Sequence, residues 1–168
     1  MHETDRQILI AGVGNTLLSD EGVGVHAARR LSREKVRDGV KVVDCGTDLL
    51  SLSAHIDCPE KIIIIDAVRS GQPPGAVSRF SYDDLVNMKS NMRSAHQISI
   101  VDILKLFKHL YLSSCGSDCD IVVIAVEPKT LEFGEQLSPE VSSSLARVIN
   151  EVMEEIRCKR IIPCRPAP

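Results

Sequence analysis

Two acidic side chains, Asp20 and Glu21, close a glycine-rich stretch, Gly12-Val13-Gly14-Asn15-Thr16-Leu17-Leu18-Ser19-Asp20-Glu21-Gly22-Val23-Gly24, that follows directly on the apolar run 8–11. The pattern predicts a strand, a glycine turn, an acidic loop and a helix starting near Val23. Two acceptor-only carboxylates ahead of a helix suit a cation or a polar substrate. The same residues also fit a purely architectural role, with glycines for a tight turn and acids favoured by the positive end of a helix. A dinucleotide fingerprint needs a third glycine three residues after Gly14, and Leu17 stands there, which disfavours pyrophosphate binding.

Further along the chain, Asp66 ends the run Ile62-Ile63-Ile64-Ile65. A carboxylate leaving so apolar a segment must find donors, find a cation or titrate upward. Asp44 and Thr47, in Asp44-Cys45-Gly46-Thr47, are acceptors that fit either a site or the cap of the next helix, and Glu127 precedes Pro128 at a loop exit. His96 stands at the predicted start of a helix, whose positive end disfavours imidazolium and keeps the ring available as a ligand or base near neutral pH. Glu21, Asp66 and His96 together would offer two oxygens and one nitrogen with positions open to water or substrate. Such a set suits nickel, zinc, iron or copper and does not choose among them. His26 falls within a helix and is the decoy among the remaining histidines. Ser19 lacks a G-x-S-x-G elbow, and no cysteine is visibly paired with a histidine, so a covalent nucleophile is not indicated. Cys45, expected near Asp66, is the thiol that tests this. The lone Cys115-x3-Cys119 pair is weak evidence for zinc.

These residues need a scaffold. Apolar, β-branched runs at 7–13, 40–44, 61–66 and 121–126 read as buried parallel strands. Ile100, Ile103, Leu104 and Phe107 share a helical face and predict a helix over 97–112. Val141, Leu145, Val148 and Val152 do the same behind the start signal Ser138-Pro139-Glu140. The turn 70–75 precedes a fifth strand, 76–80, which returns without a helix and so runs antiparallel at an edge. Parallel strands joined by helices bring their C-terminal ends to one edge, so Glu21, Asp44, Asp66 and Glu127 are expected around one crevice.

The 168 residues fit a single α/β domain, 1–168, with a flexible proline-bearing tail over about 159–168. A formal net charge of -3 and only 3% aromatic residues leave no basic, stacking surface for nucleic acid. No stretch has the length of a membrane span and the first residues are polar, so a cytoplasmic protein with no membrane partner is expected. Six cysteines without a framework read as free thiols. With no long exposed apolar stripe in the pattern, the expected state is a monomer.

Taken in order, Gly12-Val13-Gly14-Asn15, Leu18-Ser19-Asp20-Glu21-Gly22-Val23-Gly24, Asp44-Cys45-Gly46-Thr47, Asp66-Ala67, His96-Gln97 and Glu127-Pro128 with Gly134 and Leu137-Ser138-Pro139 resemble the [NiFe] hydrogenase maturation endopeptidases. The resemblance covers 8–154. It implies a three-layer αβα sandwich around a mostly parallel five-stranded twisted sheet with one antiparallel edge strand. It also implies a catalytic and metal-recognition site of Glu21, Asp66 and His96, of aspartyl or metal-assisted type. The expected substrate is the nickel-loaded large-subunit precursor of a hydrogenase, trimmed of its C-terminal extension. Nickel would come with the precursor, and other divalent metals would fit the same donors. Gly14, Asn15, Asp20, Asp44 and Thr47 are expected to shape the loops or touch substrate. Cys45 departs from the family's Asp-Gly-Gly-Thr. A non-catalytic nickel or precursor chaperone and a nucleotide-binding, phosphorylase-like enzyme are the competing readings.

Overall fold

A computed structural model of the chain describes residues 7–55, 58–87, 93–94, 100–112 and 119–158. Its centre is β3 (Lys61–Arg69), the strand with the isoleucine run, buried along its length up to Arg69. Parallel to it on one side lies β1 (Ile8–Val13), and beyond β1 lies β2 (Val40–Gly46). On the other side lies β6 (Asp120–Val126), also parallel, followed by the antiparallel edge strand β4 (Val77–Ser81). The order is thus β2-β1-β3-β6-β4. A two-residue strand absent from the sequence pattern, β5 (Arg93–Ser94), pairs antiparallel with the end of β3.

Side-chain alternation along the strands builds two cores. Ile8, Ile10, Ile63, Ile65, Val122 and Ile124 pack with residues of α1 (Val23–Leu31) and α4 (Pro139–Arg157). Leu9, Ala11, Ile62, Ile64, Ile121 and Val123 form the opposite cluster, with Leu49 and Leu52 of the 3-10 turn Leu49–His55, Leu85 of α2 (Tyr82–Asn87), and Leu104 and Phe107 of α3 (Ile100–Phe107). These are the three layers that the resemblance implies. The helix expected over 97–112 is α-helical from Ile100 to Phe107 and widens into a π turn, Lys108–Leu112; residues 97–99 lie outside the described segments. The tail expected at 159–168 also lies outside them. In α4, Ser138 Oγ accepts the Val141 N–H and Pro139 occupies the first turn, as the start signal predicts.

From β1 the chain moves outward to β2, then crosses back to place β3 on the other side of β1. The order reverses between β1 and β3, which opens a crevice at their C-terminal ends. Glu21 follows β1, and Asp66 lies near the end of β3.

Candidate active site

Glycine permits the close packing that brings the first loop to this crevice. A Cβ on Gly24 would overlap the carbonyl oxygens of Ile65 and Val13, so the start of α1 sits against the backbone of both strands. Gly14, at φ +145, lies against the Glu21 carbonyl, where a side chain would also collide. Between them the 3-10 turn Ser19–Gly22 runs straight into α1 and contacts β3. Glu21 is 5% exposed and Asp66 1% exposed. Two buried carboxylates therefore flank the switch point.

Asp20 points elsewhere. It is wholly buried, and its carboxylate accepts the backbone N–H groups of Lys129 at 2.9 Å, Thr130 at 3.0 Å and Ser138 at 2.7 Å. Three donors satisfy the buried charge and tie the segment 127–138 to the acidic loop. Backbone pairing completes the clasp: Ser19 N–H donates to Gly134 O at 2.7 Å and Gly134 N–H to Leu17 O at 3.0 Å. Ser19, at φ 48, donates its hydroxyl to Glu132 O. Asn15 Oδ1 accepts the Leu17 N–H at 3.0 Å, a local turn bond. This second wall was the part of the site least visible in sequence. Its signals were an acid, Asp20, in need of donors and a glycine, Gly134, between Phe133 and Glu135.

The loop's amides are also spent inside the protein. Gly14 N–H donates to Gly46 O at 2.7 Å, Asp20 N–H to Thr130 O and Glu21 N–H to Leu18 O. A phosphate cradle needs such donors turned toward the ligand, so the geometry opposes the nucleotide-binding reading.

The other acids behave differently from one another. Asp66 lies on the sheet face of Ile62, Ile64 and Val68, the face that α3 covers, and its Oδ1 accepts the Ala67 N–H at 2.8 Å. Glu127 turns to the loop after β3, accepting the Ser70 N–H and hydroxyl at 2.7 Å each and the Gln72 N–H at 3.2 Å. Asp44 is exposed, accepting Arg29 Nε and the Gly46 N–H at 3.0 Å each. The four acids thus share an edge, but Glu127 and Asp44 are occupied with architecture. Thr47 is exposed, and the following turn is capped by Asp48, which accepts the Leu50 N–H, rather than by Asp44 or Thr47.

Cys45 is buried in the core on the α3 side of the sheet. Burial pushes its thiol up to about 11, with Asp44 and Asp48 adding to the rise and a Ser51 hydrogen bond opposing it. A thiol held protonated in this way is a poor nucleophile. His26, in α1, is lowered by burial and then by Arg29, against the pull of Asp44, and stays neutral near pH 7. His96 lies outside the described residues, as does Cys115 of the C-x3-C pair. Among the described residues no three His, Cys, Asp or Glu side chains group as a metal centre. Glu21 and Asp66 bring two hard oxygen donors to the crevice, a set that fits a divalent cation with one further donor.

Residues 25–155 match the hydrogenase maturation protease family. The hydrogenase expression/formation protein HoxM of Azotobacter vinelandii is 33% identical over 154 residues, covering 90% of this chain and 72% of its own. Among solved structures, the [NiFe] hydrogenase maturation protease HybD from Thermococcus kodakarensis superposes with a TM-score of 0.76 at 31% identity, over 89% of this chain and 99% of that one. The Escherichia coli hydrogenase maturating endopeptidase HybD gives a TM-score of 0.75 at 27% identity, over 90% and 92% of the two chains.

Proposed function

Since the chain belongs to the hydrogenase maturation protease family, we propose that it is the endopeptidase that removes the C-terminal extension from the nickel-loaded large-subunit precursor of a [NiFe] hydrogenase. The observation that carries this reading is the pair of buried carboxylates, Glu21 and Asp66, at the switch point of the sheet. A crevice at the C-terminal ends of parallel strands is where such folds bind ligands.

Glu21, Asp66 and His96 would receive the nickel that the precursor carries. That nickel, as part of the substrate, would supply positive charge near the scissile carbonyl and the attacking water, or a template that sets the bond in place. The chain's own contribution is positional. Asp66 is held by the Ala67 amide, and the loop that carries Glu21 is clasped on both sides, so its backbone need not be ordered when substrate arrives. Whichever carboxylate does not engage nickel would take a proton from water as general base. The burial of Cys45 and the absence of an elbow at Ser19 favour water over a covalent nucleophile.

Intact-mass analysis of a cognate precursor, with and without nickel, tests the reading against a Glu21→Gln control. The expected result is nickel-dependent loss of one C-terminal peptide, absent in the control. Binding without mass loss would instead make the protein a precursor chaperone. Loss of the peptide irrespective of nickel would remove nickel from the recognition step.

A further inference from the structure

Phe133 is 91% exposed, the highest exposure among the large apolar side chains described, and Leu17 is 56% exposed. Both sit on the clasp just described. Leu18 and Gly134 form an isolated parallel bridge, so Leu17 and Phe133 each stand one position before a bridged residue, on adjoining chain segments. In parallel pairing, residues at matched positions lie on the same side. The two therefore stand side by side as one exposed apolar step on the clasp, joined through the backbone to the loop that carries Glu21. Exposed Glu132 and Glu135 flank Phe133. An apolar step with an acidic border suits a polypeptide that brings aliphatic or aromatic groups together with Lys or Arg.

Resting on the proposed function, we infer that Leu17 and Phe133, bordered by Glu132 and Glu135, form the docking surface for a basic, apolar segment of the precursor next to the bond that is cut. The surface determines specificity rather than chemistry. Its position is rigid relative to Glu21 because Asp20 pins both walls through three backbone N–H groups. A segment seated on Phe133 would thus be held in fixed register with the carboxylates.

Steady-state cleavage of the nickel-loaded precursor by the full-length protein tests this with Phe133→Ser and with the pair Glu132→Lys and Glu135→Lys. Phe133 is so exposed that its truncation removes little packing, and an unchanged Tm checks that directly. The expected result is a KM raised about tenfold or more in each variant, with kcat within about twofold of the parent. An unchanged KM in Phe133→Ser overturns the inference while leaving the proposed function in place. A response to Phe133→Ser without one to the charge reversals overturns the basic character assigned to the segment. Loss of self-association in sedimentation, with KM unaltered, would give the surface to a second copy of the chain and also overturn it. A parent protein that cuts no precursor removes the proposed function itself, a result distinguishable from all of these.

Discussion

The two ends of the β-sheet handle buried charge in opposite ways. At the C-terminal edge, Asp20 and Glu127 are satisfied by backbone N–H groups and one serine, and among the described residues no lysine or arginine is bonded to them. At the N-terminal edge, Lys61 of β3 pairs with Glu155 of α4 and with Asp120 of β6, and Arg79 of β4 pairs with the same Glu155. Neutral amides hold a carboxylate in place without cancelling its charge, whereas ion pairs cancel it. The first arrangement ties loops to one another around the crevice, and the second locks a helix to a sheet.

Substitutions at each end should separate these roles. The largest effect is expected for Asp66→Asn: precursor cleavage falls roughly a thousandfold while thermal unfolding stays near the parent value. Broad unfolding of the variant would make Asp66 architectural and erase the contrast. Next comes Asp20→Ala, which orphans three buried amide donors and should cost about 3 kcal/mol in urea titration, with cleavage reduced as the clasp loosens. A variant that keeps full stability would show that water or backbone shifts replace the carboxylate.

Lys61→Met breaks the charge pair at the opposite end. Because Arg79 still serves Glu155, the expected loss is about 2 kcal/mol, with cleavage kinetics unchanged. A drop in kcat would mean that the two ends communicate. The acid response should follow the same division. Burial raises the Glu155 carboxyl, yet hydrogen bonds from Arg79 and Lys61 outweigh it and leave the group below its ordinary value of 4.5. Its stabilising contribution is then complete above about pH 4.5 and is lost as pH falls through the lowered native value. Denaturation curves for Glu155→Gln should therefore show a weaker pH dependence in this range than the parent. The smallest effect is expected for Cys45→Ala, about 1 kcal/mol of stability and unaltered cleavage. Loss of cleavage with the fold intact would revive a thiol mechanism.

Much of this is legible in the sequence. The isoleucine run, the 3.6-residue stripe of α4 and the return expected at 76–80 are local hydrophobic patterns, and such patterns specify strand, helix and edge directly. Less legible was the division among the acids. Asp44, Asp66 and Glu127 look alike as residues near strand ends, yet one is exposed beside Arg29, one lies buried at the switch point, and one is folded into the turn 70–75.

The chain order and apolar periodicity by themselves determined the layered α/β fold and brought the acids to one edge, because strand burial and crossover direction follow from nearest-neighbour pattern. The ordered motifs likewise carried the family. Only the tertiary structure decided which acid serves which purpose, since donors more than one hundred positions away along the chain, at Lys129, Thr130 and Ser138, claim Asp20 and leave its neighbour Glu21 at the crevice. Hydrogen bonds between distant backbone groups leave no local periodicity, so a sequence can announce that a buried carboxylate needs partners without revealing where they come from.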